Sequence, residues 1–185
     1  MGAYNARIGG FTQALIDSKQ KGLVGVEVGI FDGSHCWGLL ENLDIEKLFM
    51  IDPYESYPAH IKSVGQKRSE WLLARAKKRS KTWAKEKFPG KCTHIYEKSI
   101  TASNWFENEE LDFVYLDGDH AYEYVKRELP KWYAKIKPGG LFGGHDYSAR
   151  RTGVTQAVIE YCRKKFKFEI VGDKRYAADW FFWKP

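Results

Sequence analysis

Apolar runs and amphipathic stretches alternate along most of this chain. Short β-branched and aromatic runs bounded by Gly, Pro or Asp predict strands near 23–30, 47–52, 92–98, 111–117 and 139–145. Between them, helical periodicity fits 34–43, 66–87, 120–136 and 152–166. In the third of these, Asp119 is placed to cap the start and Pro138-Gly139-Gly140 to close the end. The rhythm changes after residue 166. Two strands, Phe166–Val171 and Trp180–Trp183, follow one another across the turn-prone Gly172-Asp173-Lys174. Alternation followed by a hairpin predicts a doubly wound α/β fold, with a mostly parallel seven-stranded sheet and an antiparallel C-terminal hairpin strand. No repeat or linker divides residues 1–185, so one domain is expected.

The first strand carries the most informative chemistry. Val24-Gly25-Val26-Glu27-Val28-Gly29-Ile30-Phe31-Asp32-Gly33-Ser34 reads as a buried strand, a glycine turn and a helix start. Nineteen residues after Gly33, Asp52 follows the apolar run Leu48-Phe49-Met50-Ile51. A carboxylate at the tip of the second strand is suited to two ribose hydroxyls, the layout of a nucleoside-binding βαβ unit. A pyrophosphate loop needs Gly-x-Gly-x-x-Gly, so that backbone N–H groups reach phosphate oxygens. Here Phe31 and Ser34 occupy two of those glycine positions, and Asp32 adds negative charge. Glu-x-Gly-x-x-x-Gly therefore suits a ligand with cationic groups. The competing reading is a tight strand-to-helix turn that binds nothing.

Composition narrows the class. The chain of 185 residues is 43% hydrophobic and 16% aromatic, enough for one sizeable core. Cys36, Cys92 and Cys162 are odd in number and widely spaced, which favours a reducing cytoplasm over a disulfide framework or a metal knuckle. The N-terminus shows no signal peptide or myristoylation pattern, and no apolar stretch reaches the ~20 residues of a membrane helix. Net charge is +6, yet residues 62–91 hold eleven Lys and Arg against two Glu, a net of +9. Trp71, Leu72, Ala76 and Trp83 are the apolar anchors of that helix. Its charge reads as a solvated face, the alternative being a contact with nucleic acid or an anionic substrate.

Three stretches together carry a resemblance. They are Glu27 to Gly33 with Asp52, Leu111 to His120, and Leu129-Pro130 with Lys137-Pro138-Gly139-Gly140 through Tyr147. Over roughly residues 20–185 the chain resembles the class I S-adenosylmethionine-dependent methyltransferases. Within them, Glu-x-Gly-x-x-x-Gly is similar to the O-methyltransferases of small molecules such as catechols, caffeoyl thioesters and macrolide sugars. The resemblance implies that Glu27 and Gly29 face the methionine part of the cofactor, Asp52 holds the ribose and Ser99 borders adenine. Gly33, Ser34 and Asp117 complete those surroundings. It also implies a divalent cation, Mg²⁺, on carboxylates ending strands four and five, the places of Asp117 and Asp146. Tyr147 departs from the Asn or acid that often follows, leaving that ligand set incomplete.

The residues themselves allow two readings of the acids. Neighbouring parallel strands would bring Asp117 and Asp146 ~5 Å apart, close enough to share Mg²⁺. Alternatively they cap a helix and a turn. His120, at the start of the 120–136 helix, is the candidate general base, with the helix's positive end expected to keep its ring neutral near pH 7. The other reading is a surface histidine that orders the cap. His145 is the second candidate; His35, His60 and His94 are expected to be structural. Tyr54, Tyr57 and Tyr147 are placed to wall a pocket. The expected activity is methyl transfer to a hydroxyl of a small molecule, phenol or sugar in type. Its rivals are a nicotinamide oxidoreductase and a catalytically silent RNA- or anion-binding module. About twenty residues precede the first strand, too few for a cap, which makes a second subunit the candidate for a missing wall.

Overall fold

A computed structural model describes residues 8–163 and 165–185. The parallel strands are β1 (Leu23–Val28), β2 (Ile45–Ile51), β3 (Cys92–Ile95), β4 (Leu111–Leu116) and β5 (Ile136–Gly144). Strands β6 (Glu169–Asp173) and β7 (Ala177–Trp183) form the C-terminal hairpin. The order is β3-β2-β1-β4-β5-β7-β6. Strand β7 runs antiparallel between β5 and β6, so the reversed strand lies inside the sheet and β6 forms the edge.

Period-two alternation sends successive side chains to opposite faces. Val114, Leu116, Phe142 and Phe182 meet α6 (Tyr122–Tyr133) and α7 (Thr152–Cys162) on one face. Phe113, Tyr115, Leu141 and Phe181 meet α1 (Gly10–Ser18), α2 (Ser34–Asn42) and α4 (Gln66–Lys87) on the other. Short helices α3 (Pro58–Val64) and α5 (Ser99–Ala102) lie in the loops after β2 and β3.

Several boundaries differ from the sequence expectation. Helix α6 stops at Tyr133 and α7 at Cys162. Lys137-Pro138-Gly139-Gly140 belongs to β5, not to a helix end, because Gly139 N–H donates to the Lys184 carbonyl on β7's side of the sheet. Ala121 is the N-cap of α6, and Asp119 instead accepts the Ala121 N–H at 2.9 Å. Helices α1 and α3 were not expected. Helix α1 inserts Phe11 edge-on among Phe113, Tyr115 and Phe181, supplying a cover that the short N-terminal stretch did not promise. In α4 the inward stripe is Ser69, Leu73, Ala76, Ser80 and Trp83. Trp71 is instead turned out to solvent beneath Arg75.

Candidate active site

The strand order reverses between β1 and β4, which opens a crevice at their C-terminal ends, the usual ligand site of such sheets. Register aligns the crevice: Val28 pairs with Ile51 and Leu116, and Leu116 with Gly144. The next residues, Gly29, Asp52, Asp117 and His145-Asp146, therefore emerge at one rim. Gly29 has φ +81°, and a Cβ there would lie 2.0 Å from the Asp117 carbonyl oxygen. Only glycine permits that approach.

The loop beyond is held from several sides. Asp52 accepts N–H groups from Phe31 at 2.9 Å and Tyr54 at 2.7 Å. Each carboxylate oxygen keeps a further lone pair for a ligand hydroxyl. Burial raises the Asp52 pKa above the ordinary carboxylate value, although those two N–H groups oppose the shift. Gly33, at φ +77°, starts α2 with Trp83 packed against it, and Trp83 Nε1 donates to the Asp32 carbonyl. Asp32 itself is taken up by the Ser34 hydroxyl and by Arg79 at 3.1 Å.

A cavity of about 490 Å³ lies under this loop, lined by Gly29, Phe31, Asp52, Tyr57, His60, Ser99, Asp117, Gly118, His120, Tyr124 and Glu128 among others. Of the expected cofactor residues, Gly29, Asp52, Ser99 and Asp117 share it. Glu27, Gly33 and Ser34 are not among its lining residues. Glu27 is buried, with its carboxylate 2.9 Å from His35 Nδ1, and His35 stacks on Tyr115. Burial disfavours the imidazolium, but Glu27 outweighs it and raises the His35 pKa. Tyr57 walls the cavity. Tyr54 braces the loop through the Phe31 carbonyl, and Tyr147 packs into the core beside Phe168.

At the cavity's edge, ligand atoms of Asp117, His120 and Asp146 lie within 4.8 Å of one another. His120 Nε2 is 2.9 Å from Asp146 Oδ2 and 3.7 Å from Asp117 Oδ1. Neither approach has hydrogen-bond geometry, so Nε2 is a buried nitrogen facing two carboxylates with no hydrogen bond. His145 Nδ1 stands 3.6 Å from Asp146 and 3.9 Å from Asp117, and Arg151 Nε is 3.6 Å from Asp146.

Burial opposes charge on His120, yet the two carboxylates prevail and push its pKa to about 9. This corrects the expectation of a neutral ring, since two nearby full charges outweigh a helix end. Burial raises Asp117, while His120 leads the groups that overcome burial and hold Asp146 low. Two carboxylates and an imidazole nitrogen converging without hydrogen bonds among them fit a divalent cation.

Sequence reasoning missed two residues here. His35 carried no local pattern linking it to Glu27. Glu128 did carry one, an acid inside the inward α6 stripe Val125, Leu129 and Trp132.

A family described as a methyltransferase domain matches residues 26–147, from β1 through the loop after β5. The chain belongs to that family, within the class I S-adenosylmethionine-dependent methyltransferases. Solved structures share the fold at low identity. An rRNA methylase from Streptococcus thermophilus has TM-score 0.66 at 12% identity, with 94% of this chain and 93% of that one covered. A presumed methyltransferase from Streptococcus mutans in complex with SAH has TM-score 0.68 at 10% identity, covering 94% and 95%. Spermidine synthase from Thermotoga maritima has TM-score 0.63 at 14% identity; 94% of this chain is covered, but only 57% of the synthase. No curated protein matches the chain.

Proposed function

We propose that this domain methylates a hydroxyl group of a small molecule, with Asp117, His120 and Asp146 forming the acceptor end of the cavity. The observation that supports it best is the placement of Asp117 and His120 in one cavity with Asp52 and Ser99, with Asp146 beside them at its edge. S-adenosylmethionine, when bound, supplies an electrophilic methyl group. The acceptor oxygen attacks that carbon as the carbon–sulfur bond breaks, and the hydroxyl proton must leave. Asp52 accepts the ribose hydroxyls, and the neighbouring loop orients the cofactor. The near-attack geometry created by this shared cavity supplies much of the rate.

His120 takes the hydroxyl proton. With its pKa near 9 it holds its own proton at neutral pH, so something must first weaken the pull of the carboxylates. A divalent cation on Asp117 and Asp146 would do so, leaving Nε2 of His120 free to take the proton, and would acidify the acceptor hydroxyl.

Calorimetry with SAH and NAD, followed by methyl transfer from labelled S-adenosylmethionine into a cell extract, tests the reading. SAH should bind and NAD poorly. Asp52→Ala should lower SAH affinity by ~1.5–3 kcal/mol through lost charged-acceptor hydrogen bonds. Chelation should abolish turnover with SAH binding preserved, and Mg²⁺ or Mn²⁺ should restore it. NAD binding without SAH binding would overturn the function; full turnover after exhaustive chelation would remove the cation.

A further inference from the structure

One acid in the cavity has no part in the reaction above. Glu128 reaches inward from α6 and is only 1% exposed, yet its Oε1 has no hydrogen-bond partner. A buried carboxyl oxygen without a partner is costly, so it points to a ligand group that completes it. Its carboxyl lies against Ser99, whose hydroxyl accepts the Trp132 indole N–H at 2.8 Å. Oε1 sits 3.9 Å from where a Cβ on Gly118 would lie, an ordinary contact distance that places the Gly118 turn beside the carboxyl. Asp119 and His120 are the charged groups that act on it, and Tyr124 lines the same cavity.

We infer that Glu128, with Ser99, recognises the hydrogen-bonding edge of the cofactor's adenine. This rests on the reading of the cavity as the S-adenosylmethionine site. Adenine presents an amino donor at position 6 beside a ring-nitrogen acceptor at position 1. A protonated carboxyl offers the matching acceptor and donor. Burial pushes the Glu128 pKa up to about 8, which keeps the acid protonated at neutral pH. Ser99 begins α5 and Glu128 belongs to α6, so two separate elements meet in the lining of one cavity.

Calorimetry with SAH and with its analogue carrying hydrogen in place of the 6-amino group tests this. Wild type should bind the analogue at least about tenfold more weakly, the scale of one lost buried hydrogen bond. Glu128→Gln, whose amide also donates and accepts, should keep SAH affinity within about threefold and preserve the preference. Glu128→Met should lose about 10- to 100-fold in SAH affinity and bind both ligands alike. Equal binding of the two ligands by wild type, or an unchanged preference in Glu128→Met, would overturn the inference and make Glu128 a packing residue. If Glu128→Met fails to fold, wild type and Glu128→Gln still decide through the analogue. Failure of wild type to bind SAH at all would instead overturn the cofactor reading beneath it.

Discussion

His120 shows how little a local feature says about a titratable group until its neighbours are known. The helix start nearby favours the neutral ring by a few tenths to one kcal/mol, whereas two carboxylates within 3.7 Å favour the charged one more strongly. The raised value has a consequence for stability. His120 stabilises the fold fully below its unfolded pKa of ~6.5, and that contribution is lost as pH rises through about 9. Glu128, with a folded pKa near 8, gives a slope of the same sign between ~4.5 and 8, so comparison with a His120 variant is needed to isolate the histidine. In chelator, urea midpoints of wild type should fall more between pH 6.5 and 9.5 than those of His120→Gln. Parallel curves would show that the ring is not held protonated. The same variant should lower kcat by ~10²–10⁴-fold while leaving SAH affinity nearly unchanged.

At the scale of elements, the β1–α2 turn is shaped as much by packing as by any ligand. Gly29 lets β1 end against the Asp117 carbonyl, and Gly33 lets α2 begin beneath Trp83 of α4. Gly29→Ala would place a methyl group on that carbonyl and force a positive φ on alanine. The strain alone costs roughly 1–3 kcal/mol. Melting should drop by about 2–4 °C for each kcal/mol lost, and SAH binding should fall with it. A variant with wild-type melting and binding would mean that the β1 and β4 ends separate without cost. Helix α4 gives the complementary lesson. Its buried residues Ser69, Leu73, Ala76, Ser80 and Trp83 fall on one stripe, its lysines and arginines outside it, and Lys77 lies 3.8 Å over the Tyr96 ring.

Across the whole molecule, a buried polar chain ties the N-terminal helix to the sheet. Asp179 on β7 accepts the Phe11 N–H at 3.1 Å and the Tyr115 hydroxyl at 2.7 Å. Tyr115 stacks on His35, which bonds to Glu27 and lies 3.2 Å from the Thr12 hydroxyl. Strands β1, β4 and β7 and helices α1 and α2 thus share one network. Asp179→Ala leaves two buried donors unpaired, at about 1–3 kcal/mol each. Hydrogen exchange should accelerate for residues 10–18 in particular. Unchanged protection there would show that apolar contacts of Phe11 and Leu15 hold α1 without the network.

The alternation of apolar runs and amphipathic stretches was enough to establish the sheet class, because buried parallel strands and one-faced helices have different periods. Glycine spacing with Asp52 likewise argued against a pyrophosphate loop, since that chemistry depends on local backbone N–H groups. Asp117, His120 and Asp146 were each legible as polar residues at strand ends. Their mutual distances were not, because β4 and β5 are distant in sequence and meet only through register. The same reason hid the partner of Glu27, the cover formed by α1 and the unpaired oxygen of Glu128. The raised pKa of His120 belongs to this second group. Local periodicity decides which elements form; through-space contacts between remote residues decide charge state, burial and the shape of the site.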